Sequence, residues 1–161
     1  MRKGKNVFTD PLGYFLTFTV KGSWLHGDAR GSFSRDGFIV PDPNWVRMDK
    51  TFFNGQPFLL THEQRMAVDS SLKETAHQRC WILHERNVRT NHVHLVVTAP
   101  NLSPERVMND FKAKATRTLR KNGLFPEDQK VWTRHGSTIY LFTENVMEAA
   151  CRYVREGQDK P

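Results

Sequence analysis

Residues 81–98 read Trp81-Ile82-Leu83-His84-Glu85-Arg86-Asn87-Val88-Arg89-Thr90-Asn91-His92-Val93-His94-Leu95-Val96-Val97-Thr98. The pattern predicts a strand over Trp81–Arg89, a tight turn at Thr90-Asn91 and a hairpin partner over His92–Thr98. Alternate side chains of a strand share a face, so His92 and His94 point one way and Val93 the other. Two imidazoles at that spacing can chelate one metal ion. Val96 and Val97 anchor the strand in a sheet and hold the pair rigidly.

On either side of this hairpin the sequence predicts helices. Upstream, Thr61-His62-Glu63-Gln64 has the form of a capping box, with Thr61 as cap and Gln64 three residues on. Met66, Val68, Leu72 and Ala76 carry that helix to about Cys80. Downstream, Ser103 caps a helix with Pro104 at its first position. Val107, Phe111, Ala115 and Thr118-Leu119 form its apolar stripe, and Gly123 ends it. Farther out, Tyr14 to Val20 is aromatic and β-branched and reads as a strand. Gly22 to Pro43 reads as a long loop or insertion, and Trp45 to Leu60 as irregular or partly helical. Trp132 to Ser137 reads as a polar, basic loop, and Thr138 to Phe142 as a short strand. Thr143 caps a last helix from Glu144 to about Gly157. The order strand, helix, strand, strand, helix, strand, helix predicts an α+β fold: a ferredoxin-like antiparallel sheet with helices on one face, plus a C-terminal helix.

The 161 residues fit one domain, residues 1–161, with the insertion at about 22–60. No apolar run approaches the roughly 20 residues that span a bilayer. The basic N-terminus is followed by an apolar stretch broken at Asp10, Pro11 and Gly13, unlike a signal peptide. Cys80 and Cys151 lie far apart in no ligand-like spacing, and read as small buried hydrophobes of a reducing, cytoplasmic compartment. Lys and Arg outnumber Asp and Glu by 24 to 17, a net charge of +7, with an isoelectric point near 9.7. That balance favours a polyanionic partner.

Several residues then become candidates for chemistry. Two imidazoles leave coordination positions open. A third ligand, Gln or Glu, with water and phosphate oxygens would suit Mg²⁺ or Mn²⁺ as a Lewis acid. Tyr153 lies near the end of the last helix. It shares a stripe with Val146, Ala149 and Ala150 and reads either as a packed residue or as a nucleophile whose target phosphate must be neutralised. Glu156 and Gln158, within one and a half turns of Tyr153, are candidates for the third ligand or ordinary surface residues. Lys112, Lys114, Arg117, Arg120 and Lys121 lie mostly off the apolar stripe of their helix, where they can contact phosphates or simply be solvated. Arg134 and His135 are candidates to approach the scissile phosphate or a base. Trp24, Trp132 and Phe142 are candidates to stack on unpaired bases. His26 and Asp28 are weaker site candidates. Tyr14 and Tyr140 sit in strand patterns and read as sheet residues.

The segment from Arg89 to Val97 resembles the Asn-His-hydrophobe-His signature of the IS200-like single-tyrosine transposases and their REP-associated relatives, of the HUH class. Tyr153-Val154-Arg155-Glu156-Gly157-Gln158 resembles their catalytic-helix motif, which opens with the nucleophilic tyrosine. The strand at Tyr14–Val20 followed by Trp24-Leu25, and the Trp132–Ser137 segment, are similar too, so the likeness covers nearly the whole chain in order. The resemblance implies a ferredoxin-like core, a homodimer and cleavage of single-stranded DNA, often beside a hairpin. It further implies a 5′-phosphotyrosine, a free 3′-hydroxyl and no nucleotide cofactor. Carried over, His92 and His94 become ligands of Mg²⁺ or Mn²⁺ and Tyr153 the nucleophile. The family's amide ligand lies four residues after the tyrosine, where this chain has Gly157. Gln158 follows one residue later, so either the helix ends differently or Glu156 substitutes.

The expected function is therefore a metal-dependent single-stranded-DNA endonuclease and strand transferase. The alternative is a non-catalytic hairpin-binding protein, a domesticated transposase or repressor on the same scaffold. A two-histidine phosphoesterase would need two separate His-x-Ser/Thr motifs, and this chain has a single His pair.

Overall fold

The structure is a computed structural model and describes residues 10–21, 32–34, 37–39 and 58–156. In chain order the strands are β1 (Gly13–Val20), β2 (Ser32–Ser34), β3 (Gly37–Ile39), β4 (Ile82–Val88), β5 (His92–Thr98) and β6 (Trp132–Leu141). The helices are α1 (His62–Arg79), α2 (Pro104–Lys121) and α3 (Glu144–Glu156). Four strands form one sheet in the order β4-β5-β1-β6, and every neighbouring pair in it is antiparallel. Two split crossovers generate that order. β1 reaches its parallel companion β4 through α1, stepping over β5; β5 reaches β6 through α2, stepping over β1. A right-handed crossover places its helix on a fixed side of the sheet, so α1 and α2 share a face. This is the expected ferredoxin-like α+β arrangement. β2 and β3 pair with each other as a small antiparallel ribbon, so the expected loop at Gly22–Pro43 contains regular structure. Most of Trp45 to Leu60 lies outside the described residues.

The alternation of β1 and β5 divides the hydrocarbon of the protein in two. Leu16, Phe18 and Val20 with Val93, Leu95 and Val97 face α1 and α2, where Val68, Leu72, Val107, Phe111, Ala115 and Leu119 close the main core. Each Val, Leu or Phe among them, fully buried, contributes about 1.5–3 kcal/mol. Phe15, Val96, Ile139 and Leu141 face the other way, and Ala150 and Val154 of α3 cover them.

The caps form as the sequence requires. Thr61 Oγ1 accepts from the Gln64 amide at 3.2 Å, and Gln64 Oε1 accepts from the Thr61 amide at 2.8 Å. Gln64 Nε2 also donates to the Leu124 carbonyl at 2.7 Å, which ties α1 to the turn after α2. Ser103 and Thr143 accept from the amides of Arg106 and Val146. Gly123 follows the end of α2 with φ of +67°, a conformation that favours glycine.

Four readings of the sequence are corrected. Trp132–Ser137 is not a loop but the first half of β6. Its polar residues lie on an outer strand, where one rim meets solvent, and sequence polarity there mimics a loop. Met66 is exposed rather than part of the α1 core stripe. Cys80 is exposed because it occupies the left-handed position that ends α1, at φ of 56°. The buried stripe of α3 runs through Met147, Ala150, Cys151 and Val154, rotated by one residue from the expected set, and leaves Val146 and Ala149 exposed.

Candidate active site

His92 and His94 leave β5 on the α3 side of the sheet, in register with Thr19 and Thr17 of β1. Both imidazoles are largely covered, at 7% and 6% exposure, and their ring centres are 4.5 Å apart. Each Nδ1 is engaged. His92 Nδ1 donates to Asn91 Oδ1 at 2.6 Å, and His94 Nδ1 shares a 2.7 Å hydrogen bond with Thr17 Oγ1. Such partners fix ring orientation, and Nε2 is the nitrogen through which each ring would bind a metal. The chemistry of the pair therefore fits a divalent cation.

Tyr153 arrives from α3. Its ring centre lies 5.7 Å from that of His94 and 5.9 Å from that of Phe15, edge-on to both. Phe15 in turn lies 5.5 Å from His94. The rotated stripe explains this placement: Val154, not Tyr153, takes the sealed position, so the phenol sits half-buried at the flank of the contact. Two polar contacts to β4 hold the neighbouring backbone. Asn87 Nδ2 donates to the Val154 carbonyl at 3.0 Å, and Arg155 Nε donates to Glu85 Oε2 at 3.1 Å. That bond holds the Arg155 guanidinium above its ordinary range. One chain thus supplies two imidazoles and a phenol to one side of its sheet.

The third ligand is a different matter. Gln158 lies outside the described residues. Glu156 is exposed and its carboxylate lies 3.9 Å from the Arg155 guanidinium. Among the described residues no group of three or more His, Cys, Asp or Glu is placed to hold a metal ion.

The expected DNA contacts separate into two sets. Lys112, Lys114, Arg117, Arg120 and Lys121 belong to α2, which covers the face opposite the imidazoles, so the structure does not bring them to the His–Tyr cluster. Lys112 is not on a solvated face. It is 8% exposed, and its ammonium donates to the carbonyls of Thr133 and His135 at 3.0 and 3.2 Å, above the Phe18 ring. Burial pushes its pKa below the ordinary lysine value. Lys114 pairs with Glu74 at 3.0 Å. Arg120 donates to the Gln129 carbonyl at 3.0 Å and approaches Glu127. Arg117 and Lys121 are exposed.

Arg134 and His135, by contrast, are exposed on β6 where the register with β1 shifts. Phe18 pairs with Gly136, but Val20 already pairs with Trp132, so Thr133, Arg134 and His135 bulge opposite Thr19. The hydroxyls of Thr19 and Thr133 meet at 2.9 Å. Trp132 is buried against Phe18, while Phe142 is exposed. The other two tyrosines are sheet residues at the far end of β1: the Tyr14 hydroxyl donates to the Leu102 carbonyl at 2.6 Å, and Tyr140 packs edge-on against it. Trp24, His26 and Asp28 lie outside the described residues. Sequence reasoning missed Thr17, Asn87 and Phe15. Thr17 and Thr19 carried a usable signal, as two same-face polar residues in an otherwise apolar strand.

The ferredoxin-like sheet thus carries a His-x-His on an inner strand, with a tyrosine from α3 beside it. Residues 55–156 match the family described as IS200-like transposases, and the chain belongs to that family. Among the solved structures that share the fold are the following two. One is a protein of Deinococcus radiodurans R1 assigned as a transposase, 14% identical with a TM-score of 0.53, the match covering 99% of this chain and 100% of the other. The other is a REP-associated tyrosine transposase bound to a REP hairpin, 10% identical with a TM-score of 0.54, covering 96% of this chain and 70% of that one. No curated protein matches. No helix among the described residues is long and apolar enough to cross a membrane.

Proposed function

We propose that this transposase-family protein is a metal-dependent single-stranded-DNA endonuclease and strand transferase, acting as a homodimer at hairpin-flanked sites through Tyr153. The observation that carries the reading is the convergence of Tyr153 with His94 and His92 on one side of the sheet. Tyr153 Oη attacks the scissile phosphorus and loses its proton. The bond from phosphorus to the 3′ oxygen breaks, and that oxygen takes the electron pair and a proton to become a free 3′-hydroxyl. The DNA keeps its 5′ phosphate as an ester of the tyrosine, and a returning 3′-hydroxyl can reverse the step.

A Mg²⁺ or Mn²⁺ ion held by His92 and His94 would supply Lewis-acid neutralisation of the phosphate charge. Glu156 or Gln158 is proposed to complete its ligands. The residues of the chain do the rest. Asn91 and Thr17 orient the imidazoles; Asn87 and Glu85 hold the turn of α3 that carries Tyr153. Arg134 and His135 are the side chains proposed to meet the DNA.

Incubating the protein with a single-stranded hairpin oligonucleotide and Mn²⁺, then running a denaturing gel, tests this reading. The expected result is a covalent protein–DNA band that disappears with a chelator, in Tyr153→Phe and in His92→Ala. An adduct that persists in Tyr153→Phe refutes the nucleophile. Tight hairpin binding that needs no metal and yields no adduct would favour the non-catalytic binding protein.

A further inference from the structure

Beside the β6 bulge, at the end of the sheet where His92 begins β5, lies a cavity of about 630 Å³. That is within the range of small-ligand sites, about 300–1,000 Å³. Phe58, Phe125 and Trp132 line it, and Phe58 meets Phe125 edge-on at 5.2 Å. Lys21, Lys130 and Arg134 also line it, opposed among the described residues by one carboxylate, that of Asp128. An aromatic wall with an excess of cations is complementary to a flat, apolar ring that carries a phosphate.

The cavity is also connected to the candidate active site. Thr133 lines it and hydrogen-bonds Thr19, and Thr19 is the register partner of His92. Two strand spacings, about 10 Å, therefore separate the cavity wall from the first imidazole. The bulge that forms this wall is fixed from beneath by the Lys112 ammonium.

We propose that this cavity is a binding site for one unpaired nucleotide of the substrate strand, its base against the aromatic wall and its phosphate against Lys130 and Arg134. The proposal rests on the reading of the protein as acting on single-stranded DNA. It adds a site that sets which nucleotide stands next to the one being cut.

The probe is a hairpin oligonucleotide with a single-stranded extension in which one nucleotide at a time is made abasic. Affinity and covalent adduct are both measured with the full chain and Mn²⁺. One abasic position near the cut is expected to weaken binding about ten-fold or more. In Phe58→Ala that discrimination shrinks towards one, with intact and abasic DNA bound alike. Lys130→Gln, a change at an exposed position, weakens binding to intact DNA and lowers its salt dependence without removing the preference for the base. Uniform tolerance of abasic positions, or full discrimination in Phe58→Ala, overturns the cavity assignment even if adducts form. Position-specific binding with no adduct supports the cavity and refutes the nuclease reading instead.

Discussion

The two faces of β5 do different work within seven residues. Val93, Leu95 and Val97 look into a core sealed by two helices. His92, His94 and Val96 look toward a single helix, whose smaller cluster of Phe15, Val96, Ile139, Leu141, Ala150 and Val154 covers only one end of that face. Stability is thus concentrated on one side of the strand and the proposed chemistry on the other. A polar pair can be held rigidly because the residues between its members are anchored in hydrocarbon.

Substitutions on neighbouring residues can break this comparison. The largest expected effect is on activity. His94→Ala should lower adduct formation on the order of 100-fold or more while the protein still melts cooperatively. Leu95→Ala should do the reverse, losing about 2–5 kcal/mol by denaturant titration while the remaining folded protein still cleaves. Equal stability losses in the two variants would remove the division between faces.

Lys112→Met tests whether the sealed face supports the open one. It keeps the aliphatic stem but strips two carbonyls of their donor, at a cost of about 1–3 kcal/mol. Because those carbonyls belong to the bulge, hairpin affinity should fall with stability even though the lysine itself is buried. Asn87→Ala should cost about 1 kcal/mol. Since it releases the turn of α3 carrying Tyr153, the adduct rate should fall more than the affinity.

The smallest effect is one of pH. The His84 imidazole hydrogen-bonds Thr98 at 2.7 Å, and burial pushes its pKa below the ordinary 6.5. The folded state then binds fewer protons than the unfolded one in the window below 6.5. The associated stability is complete above that pH and falls as the solution is acidified toward the lowered value. His84→Gln should flatten a small part of the melting-temperature decline on acidification, as read by parallel thermal scans of the two proteins.

Much of this was legible in the sequence because it rests on local periodicity. The capping box at Thr61, the Ser103-Pro104 start, the hairpin around Thr90-Asn91 and the shared face of His92 and His94 all follow from short-range rules. What stayed hidden depends on distant partners. Lys112 looks like a surface lysine until two backbone carbonyls of β6 close over it. The front of β6 looks like a loop because its side chains are polar, although its backbone pairs with β1. The orientation of α3 turned on which of several small apolar residues met Phe15, and a shift of one residue moved Tyr153 from the expected stripe to the flank of the buried one.

The register shift in β6 has a consequence for the molecule among other molecules. β6 is a terminal strand, and a straight outer strand offers a row of amides and carbonyls to any passing chain. The kink at Thr133–His135 interrupts that row and places a guanidinium and an imidazole beside it, while Lys112 occupies two of its carbonyls from within. Self-association by strand addition is thereby discouraged along that part of the rim, which leaves it accessible even at high protein concentration.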